Sequence, residues 1–320
     1  MSRYNNYTQY LKNKYGERVY KIPINLPVTC PNRDGVAATG GCIFCGDVGA
    51  GFEAPCNTLT VKDQLDSNIE RMSQRIKSKK FIAYFQNFTN TYMHPDQFET
   101  WINEVDREDV VGISVSTRPD CIHDLYLDIL EDAARRNNWD VSIELGLQTI
   151  NPHTLKAINR GHGLAQWIDA VNRVKARGFD ICTHLILNLP WDTDLDTDEA
   201  ARLITAMGVG HVKLHSLYIL KNTQLGDMYT NGEIEMISPE DYVERVVRFI
   251  RLVGPDVVFQ RVAGRAPEKD TLFCNWNMSW WRIRDAIDKR LEDLDAVQGD
   301  QCDYLNGVAV RHFTDPLTKI

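Results

Sequence analysis

Three cysteines whose types and spacing could do chemistry lie close together near the start of the chain. They are Cys30, in Cys30-Pro31-Asn32-Arg33-Asp34-Gly35, and Cys42 and Cys45, in Gly40-Gly41-Cys42-Ile43-Phe44-Cys45. Thiolates gathered in one glycine-bearing loop predict a metal centre. A structural zinc ion needs four ligands, which Cys56 could complete, but the loop has one C-x-x-C pair where zinc ribbons usually have two. A redox dithiol of Cys42 and Cys45 would leave Cys30 idle. An iron–sulfur cube held by three thiolates would leave one iron open to a small molecule, and so to chemistry. Cys121, Cys182, Cys274 and Cys302 are scattered and are expected to be packed or surface thiols. Gly46, Gly49 and Gly51 would let the chain pass close to such a centre.

The elements that must position this loop alternate in type. Strand-length apolar runs fall at Val19–Leu26, Phe81–Gln86, Val110–Thr117, Val141–Gln148, Asp180–Leu189 and His211–Tyr218. Helical stretches separate them, at Val61–Lys79, Pro95–Arg107, Ile122–Asn137, Pro152–Asn159 with Leu164–Arg177, and Asp198–Met207. Six strand–helix units in order predict an α/β fold, a partial (β/α)6 TIM-type barrel; a doubly wound open sheet is the other arrangement this pattern permits. The tail predicts a helix (Ser238–Leu252), a strand (Asp256–Gln260) and a helix (Ser279–Leu294), a small α+β cap. The expected division is an N-terminal extension 1–18, a barrel 19–235 and a C-terminal cap 236–320.

Strands covered on both faces normally read as near-continuous hydrophobics. These alternate. In the fourth, Val141, Ile143, Leu145 and Leu147 share one face, and Ser142, Glu144, Gly146 and Gln148 the other. Ser114 and Ser116 alternate likewise in the third strand, Tyr84 and Gln86 in the second, His184 with Asn188 in the fifth, and Lys213 with His215 in the sixth. Helices must cover the apolar faces, so the polar faces line the barrel. A polar interior needs partners, since an unpaired buried group costs ~1–3 kcal/mol. A bound polar ligand is one candidate partner and an internal network with water the other. Glu144 needs a cation, for which Lys213, Arg118 and Arg160 are the candidates.

Bulk properties narrow the class. A chain of 320 residues with 43% hydrophobic residues can bury a sizeable core. No apolar run has the length of a membrane span, and Met1 to Tyr10 lacks the apolar stretch of a signal peptide, so a cytosolic protein with reduced thiols and no membrane partner is expected. A net charge of −8 argues against a wholly basic nucleic-acid binder. Residues 1–80 nevertheless carry 12 Lys and Arg against 7 Asp and Glu, which could meet an anionic partner or form a solvated surface. Trp276, Trp280 and Trp281 are expected in the core of the cap rather than in a base-stacking platform, and Arg160 and His162 could cap a helix junction or serve a site.

Taken in order, the motifs resemble those of the radical S-adenosylmethionine (radical SAM) superfamily, and within it the branch of the catalytic subunit of Elongator and a compact family of bacterial proteins. They are the two cysteine segments above, Ser-Thr-Arg-Pro-Asp (116–120), Glu-Leu-Gly-Leu-Gln-Thr (144–149), Asn-Arg-Gly-His (159–162), His-Leu-Ile-Leu-Asn-Leu-Pro (184–190) and Lys-Leu-His-Ser-Leu (213–217). The resemblance implies a [4Fe–4S] cluster on Cys30, Cys42 and Cys45. S-adenosylmethionine (SAM) would chelate the open iron and be cleaved by one electron to a 5′-deoxyadenosyl radical that takes hydrogen from a substrate. It implies that Phe44 packs near the adenine and that Gln86 and Asn87 lie at the methionine amino group. Glu144, Arg160 and Asn188 would make polar contacts to the cofactor, and Lys213 and His215 would serve cofactor or substrate. A flavodoxin- or ferredoxin-type electron donor is the implied partner. The substrate expected from this branch is RNA, such as the side chain of a modified tRNA uridine; a small molecule is the rival within the same chemistry, and a non-catalytic zinc protein that binds RNA is the rival outside it. Two features depart from the superfamily's commonest pattern. The spacing is C-x11-C-x2-C, as in the Elongator-like branch, and the second strand ends Tyr84-Phe85-Gln86 in place of Gly-Gly-Glu, so the amino-group contacts do not carry over in full. The acetyl-transfer half of Elongator chemistry is not expected to carry over.

Overall fold

The computed structural model describes residues 2–46, 57–73, 78–266 and 270–314. Cys56, Gly49 and Gly51 lie outside the described residues, as do residues 74–77 of the helix expected over Val61–Lys79. The elements run α1 (Tyr7–Tyr15), β1 (Val19–Ile24), α2 (Val61–Ser73), β2 (Lys80–Phe85), α3 (Pro95–Asn103), β3 (Val110–Thr117), α4 (Asp124–Asn137), β4 (Asp140–Gln148), α5 (Pro152–Ala157), α6 (Leu164–Ala176), β5 (Asp180–Ile186), α7 (Asp194–Ala206), β6 (His211–His215), β7 (Tyr218–Leu220), α8 (Gln224–Thr230), α9 (Pro239–Leu252), β8 (Val258–Arg261), β9 (Thr271–Cys274) and α10 (Trp280–Asp293).

Seven strands form one parallel sheet in the order β1-β2-β3-β4-β5-β6-β8, curled into a half-barrel. The alternation in the sequence decides its faces. Ala83, Phe85, Ile113, Val115, Ile143, Leu145 and Leu147 point outward into a core shared with Leu127 and Leu130 of α4, Trp167, Val171 and Val174 of α6, and Ala201 and Ile204 of α7. Each such Leu or Ile contributes about 1.5–3 kcal/mol by leaving water. The polar faces are left to the inside. The sheet has one strand more than the six counted along the sequence. Val258–Arg261 pairs with β6 through His211↔Val258 and Lys213↔Arg261, carried there by α9 and α10, whose Tyr242, Val246, Ile250, Ile283 and Ile287 join the same core.

The N-terminal segment is part of this body. Asn6 bridges to Phe259 of β8, and its side chain caps α1 by accepting from Gln9 N. Leu11 packs on Val19 and Ile82. Lys14 Nζ pairs with Asp140 at 2.9 Å and Asp180 at 3.6 Å, the first residues of β4 and β5. Tyr10 meets His211, the first residue of β6, edge-on at 4.9 Å. Helix α1 therefore covers the N-terminal ends of the strands. At the opposite end, β7 and β9 form a small antiparallel pair over a second apolar cluster that includes Ile43 of the cysteine loop.

Candidate active site

The cysteine loop is held from four sides. Within it, Arg33 N donates to Cys30 O, Gly41 N to Asn32 O and Cys45 N to Cys42 O, each at 2.8–2.9 Å. Ile43 N donates to Ile158 O at 3.2 Å, and Leu225 N donates to Ile43 O at 2.9 Å, tying the loop to α5 and α8. The Asn-Arg-Gly-His segment closes over it. Asn159 Nδ2 donates to Thr39 O and Gly41 O, and Gly161 (φ +77°) lies so close to Asn32 that a Cβ would stand 2.1 Å from Oδ1. No side chain larger than hydrogen fits there.

Buried donors face the sulfurs. Arg160 Nη1 lies 3.5 Å from Cys42 Sγ while Nη2 donates to Gly146 O, and Asn32 Nδ2 is also 3.5 Å from Cys42 Sγ. Arg118, only 2% exposed, is fixed by a bidentate pair with Asp120 and a bond to Arg160 O, and turns Nη1 to Cys30 Sγ at 3.9 Å. Burial, then the neighbouring Cys42, pushes the Cys45 thiol up to about 11, against the pull of Arg33. The N–H donors on Cys42 and Cys30 would hydrogen-bond those sulfurs when bound to a metal. Sulfurs on one tetrahedral zinc stand roughly 3.8 Å apart at Zn–S distances near 2.3 Å. Among the described residues the one set of three such ligand atoms within 4.8 Å of one another is Glu144, Cys182 and His184.

The loop forms one wall of a chamber of about 210 Å³ at the C-terminal ends of the strands. Its floor is Glu144, fully buried. Lys21 Nζ and Ser114 Oγ bond Oε1, while Lys213 Nζ (3.1 Å), His184 Nε2 (2.7 Å) and Tyr84 Oη (2.8 Å) meet Oε2. Burial alone would raise this carboxyl, but Lys21 and Lys213 outweigh it and hold Glu144 well below the usual range. Burial pushes His184 down to about 4, with Lys213 acting in the same sense, so its ring is neutral near pH 7. The Glu144–Cys182–His184 set is thus occupied by ammonium groups, and it makes a poor metal site. Of the cations expected beside Glu144, Lys213 is there; Arg118 and Arg160 serve the sulfurs instead, and Lys21 takes their place.

Cys30, Cys42, Cys45, Phe44, Gln86, Glu144, Arg160 and His215 all line the chamber. Asn87 and Asn188 stand behind it. Asn87 Nδ2 donates to Asn25 Oδ1 at 3.0 Å, and Asn188 Oδ1 accepts from Leu217 N at 2.6 Å. Sequence reasoning missed Lys21, Arg261 and Arg265. Lys21 shares its face of β1 with Pro23, so the strand's alternation does not mark it.

A curled parallel sheet with three thiols at its C-terminal rim defines a class, and comparison with known proteins gives the same one. Residues 28–204 match the model of the Radical SAM superfamily and residues 209–293 that of the Radical_SAM C-terminal domain. The chain belongs to the radical SAM superfamily. It is 34% identical over 299 residues to the uncharacterised protein YtqA of Bacillus subtilis, covering 93% of this chain and 92% of that one, and 31% identical over 290 residues to protein YhcC of Escherichia coli, covering 90% and 92%. Elongator complex protein 3 of Mus musculus is 27% identical over 196 residues, 60% of this chain and 34% of that protein. Among solved structures, the Elp3 of the archaeon Methanocaldococcus infernus with an N-terminal deletion shares the fold, with a TM-score of 0.62 at 15% identity over 88% of this chain and 64% of that one. Among the described residues no helix is long and apolar enough to cross a membrane.

Proposed function

We propose that Cys30, Cys42 and Cys45 hold a [4Fe–4S] cluster, that SAM binds in the chamber above Glu144, and that the protein removes hydrogen from a substrate admitted to the same chamber. The observation that carries this reading is the set of three thiols on one chamber wall with Arg118, Arg160 and Asn32 directed at two of the sulfurs. When bound, the cluster and SAM supply one-electron cleavage of the sulfonium and a carbon-centred radical. This chain supplies position. Phe44, Gln86 and Arg160 line the space the cofactor would fill, and His215 stays open to cofactor or substrate. Asn188 fixes the backbone behind the chamber while Asn87 pairs with Asn25, and the Glu144 cage orients Lys213 and Tyr84 from below. Helix α1 packs over the N-terminal ends of the strands, so the sheet is covered there.

A ferredoxin- or flavodoxin-type protein would supply the electron. A modified uridine of tRNA as substrate is supported by the likeness to Elongator's catalytic subunit, although the chain spans about a third of that relative. The test is anaerobic purification followed by reduction with SAM. Roughly four iron and four sulfide per chain are expected, with release of 5′-deoxyadenosine, and C30S, C42S and C45S each lose both. Tightly held zinc in place of iron, or no SAM cleavage by iron-loaded protein, overturns the reading. Modified nucleosides in tRNA from cells with and without the protein test the substrate; an unchanged profile favours a small molecule.

A further inference from the structure

The half-barrel does not close between β1 and β8. Beside that gap lies a groove of about 890 Å³, lined by the N-terminal segment, Tyr20 and Lys21 of β1, residues of β8 and Trp280 of α10. Two residues, Arg261 and Arg265, line both this groove and the chamber. The groove and the chamber therefore share a cationic wall, next to the point where Lys21 Nζ of β1 donates to Gln260 Oε1 of β8 at 2.9 Å.

The charges of the chamber are unevenly committed. Arg33, Arg118, Arg160, Lys213, Arg261 and Arg265 line it against one carboxylate, Glu144. That carboxylate is already balanced by Lys21 and Lys213. Arg118 is held by Asp120, Arg160 by Gly146 O and Cys42, and Arg33 donates to Gly46 O. Arg265 lies 4.8 Å over the Trp280 ring. The side chain of Arg261, half-buried at the end of β8, makes no hydrogen bond or ion pair among the described residues, and it is near enough to act electrostatically on Lys213, His215 and Tyr218. Beside it, the buried Nε2 of His215 also has no partner, and that ring lines the chamber. A guanidinium is a forked donor built for oxyanions. Left unpaired next to an unpartnered imidazole in the chamber wall, it has a donor fork free for an oxyanion.

We propose that Arg261, with His215 beside it, grips an oxyanion of the substrate, a carboxylate or a phosphate, at the wall that the groove and the chamber share. This rests on the chamber being the reacting site, but binding is read without turnover. The anaerobically reconstituted protein is titrated calorimetrically with pyrophosphate, citrate, bulk tRNA and, as the neutral control, uridine. At least one anion binds more tightly than uridine, R261Q raises its Kd by about tenfold or more, the loss expected for one charge-assisted hydrogen-bonded partner, and R261K raises it less. Binding of pyrophosphate or citrate assigns the oxyanion to a small molecule; Arg261-dependent binding of tRNA alone assigns it to an RNA phosphate. An unchanged Kd in R261Q for every anion that binds, or no anion bound better than uridine, overturns the proposal. Should R261Q fail to fold, phenylglyoxal labelling of wild-type Arg261 replaces it: the bound anion must slow the modification, and unslowed labelling overturns the proposal. Absence of SAM cleavage in a wild-type protein that still binds the anion through Arg261 counts instead against the radical reading.

Discussion

Single residues carry the site, and they differ in how far the sequence betrays them. The cysteine spacing, the carboxylate of Glu144 in an apolar strand and its Lys213 partner were readable from type and alternation. Lys21 was not. It sits between Tyr20 and Ile22 in a strand that also contains Pro23, so its inward face does not stand out, and its contact with Glu144 joins positions 123 apart. Arg160 misled for the opposite reason, because a cation beside a carboxylate is the simple pairing and its use on a thiol is seen only in three dimensions. Lys21 now carries a prediction. K21M leaves Glu144 with one ammonium and should destabilise the protein by about 3 kcal/mol at pH 7, the low end for a broken buried pair. Glu144's folded carboxyl titrates below its ordinary 4.5. Its stabilisation is therefore complete above that pH and is lost as pH falls through the depressed folded value. The gap between wild type and K21M should shrink in that acid window, read by urea unfolding at pH 7 and below 4.5. A gap constant with pH would mean that Lys21 acts through packing alone.

Elements were legible where their periodicity was strong. The six strands and the major helices lie within a few residues of their expected places because apolar alternation and helical spacing both follow from burial on one face. Helix α1 was not legible because half-buried tyrosines flank its one buried residue, Leu11. Tyr7, Tyr10 and Leu11 recur at helical spacing, but the hydroxyls and the flanking Lys12 and Lys14 make the segment look like a polar extension. Strands β7 and β9, at three and four residues, are too short to show a period. The place of α1 under the barrel gives Leu11 a measurable weight. L11A removes a buried side chain from the cluster with Val19 and Ile82 and should cost about 2–3 kcal/mol, against less than about 0.5 kcal/mol for a residue on a free tail. Hydrogen exchange at β2 should quicken with it, since Ile82 loses its cover.

At the scale of the whole molecule, strand β8 completes the sheet instead of resting on it, so the chain is expected to unfold as one body. Strand β8 covers the edge of β6, its Phe259 packs edge-on against Tyr4 at 5.4 Å and Phe249 at 6.1 Å, and Phe259 N donates to Asn5 O. Both ends of the chain thus meet at one strand. Farther along, Gln298 N donates to Arg3 O, while Arg3 reaches Asp295 and Ala296 O. A chain cut after Val253 would lose β8 and α10 together. It would bare the β6 edge, unseat Asn5 and Asn6 and with them α1, and expose the face of α9 that holds Tyr242, Val246 and Ile250. Several large side chains at about 1.5–3 kcal/mol each exceed the 5–15 kcal/mol that stabilises a typical domain. Residues 1–253 are therefore expected to be unfolded, although they contain the three cysteines, Glu144 and six of the seven strands. Circular dichroism and limited proteolysis decide it, since full-length protein should show a single unfolding transition and protease resistance and the truncated chain neither. A truncated chain that folds and still takes up iron would show that the half-barrel stands without its seventh strand, and that Arg261 was added to a site already complete.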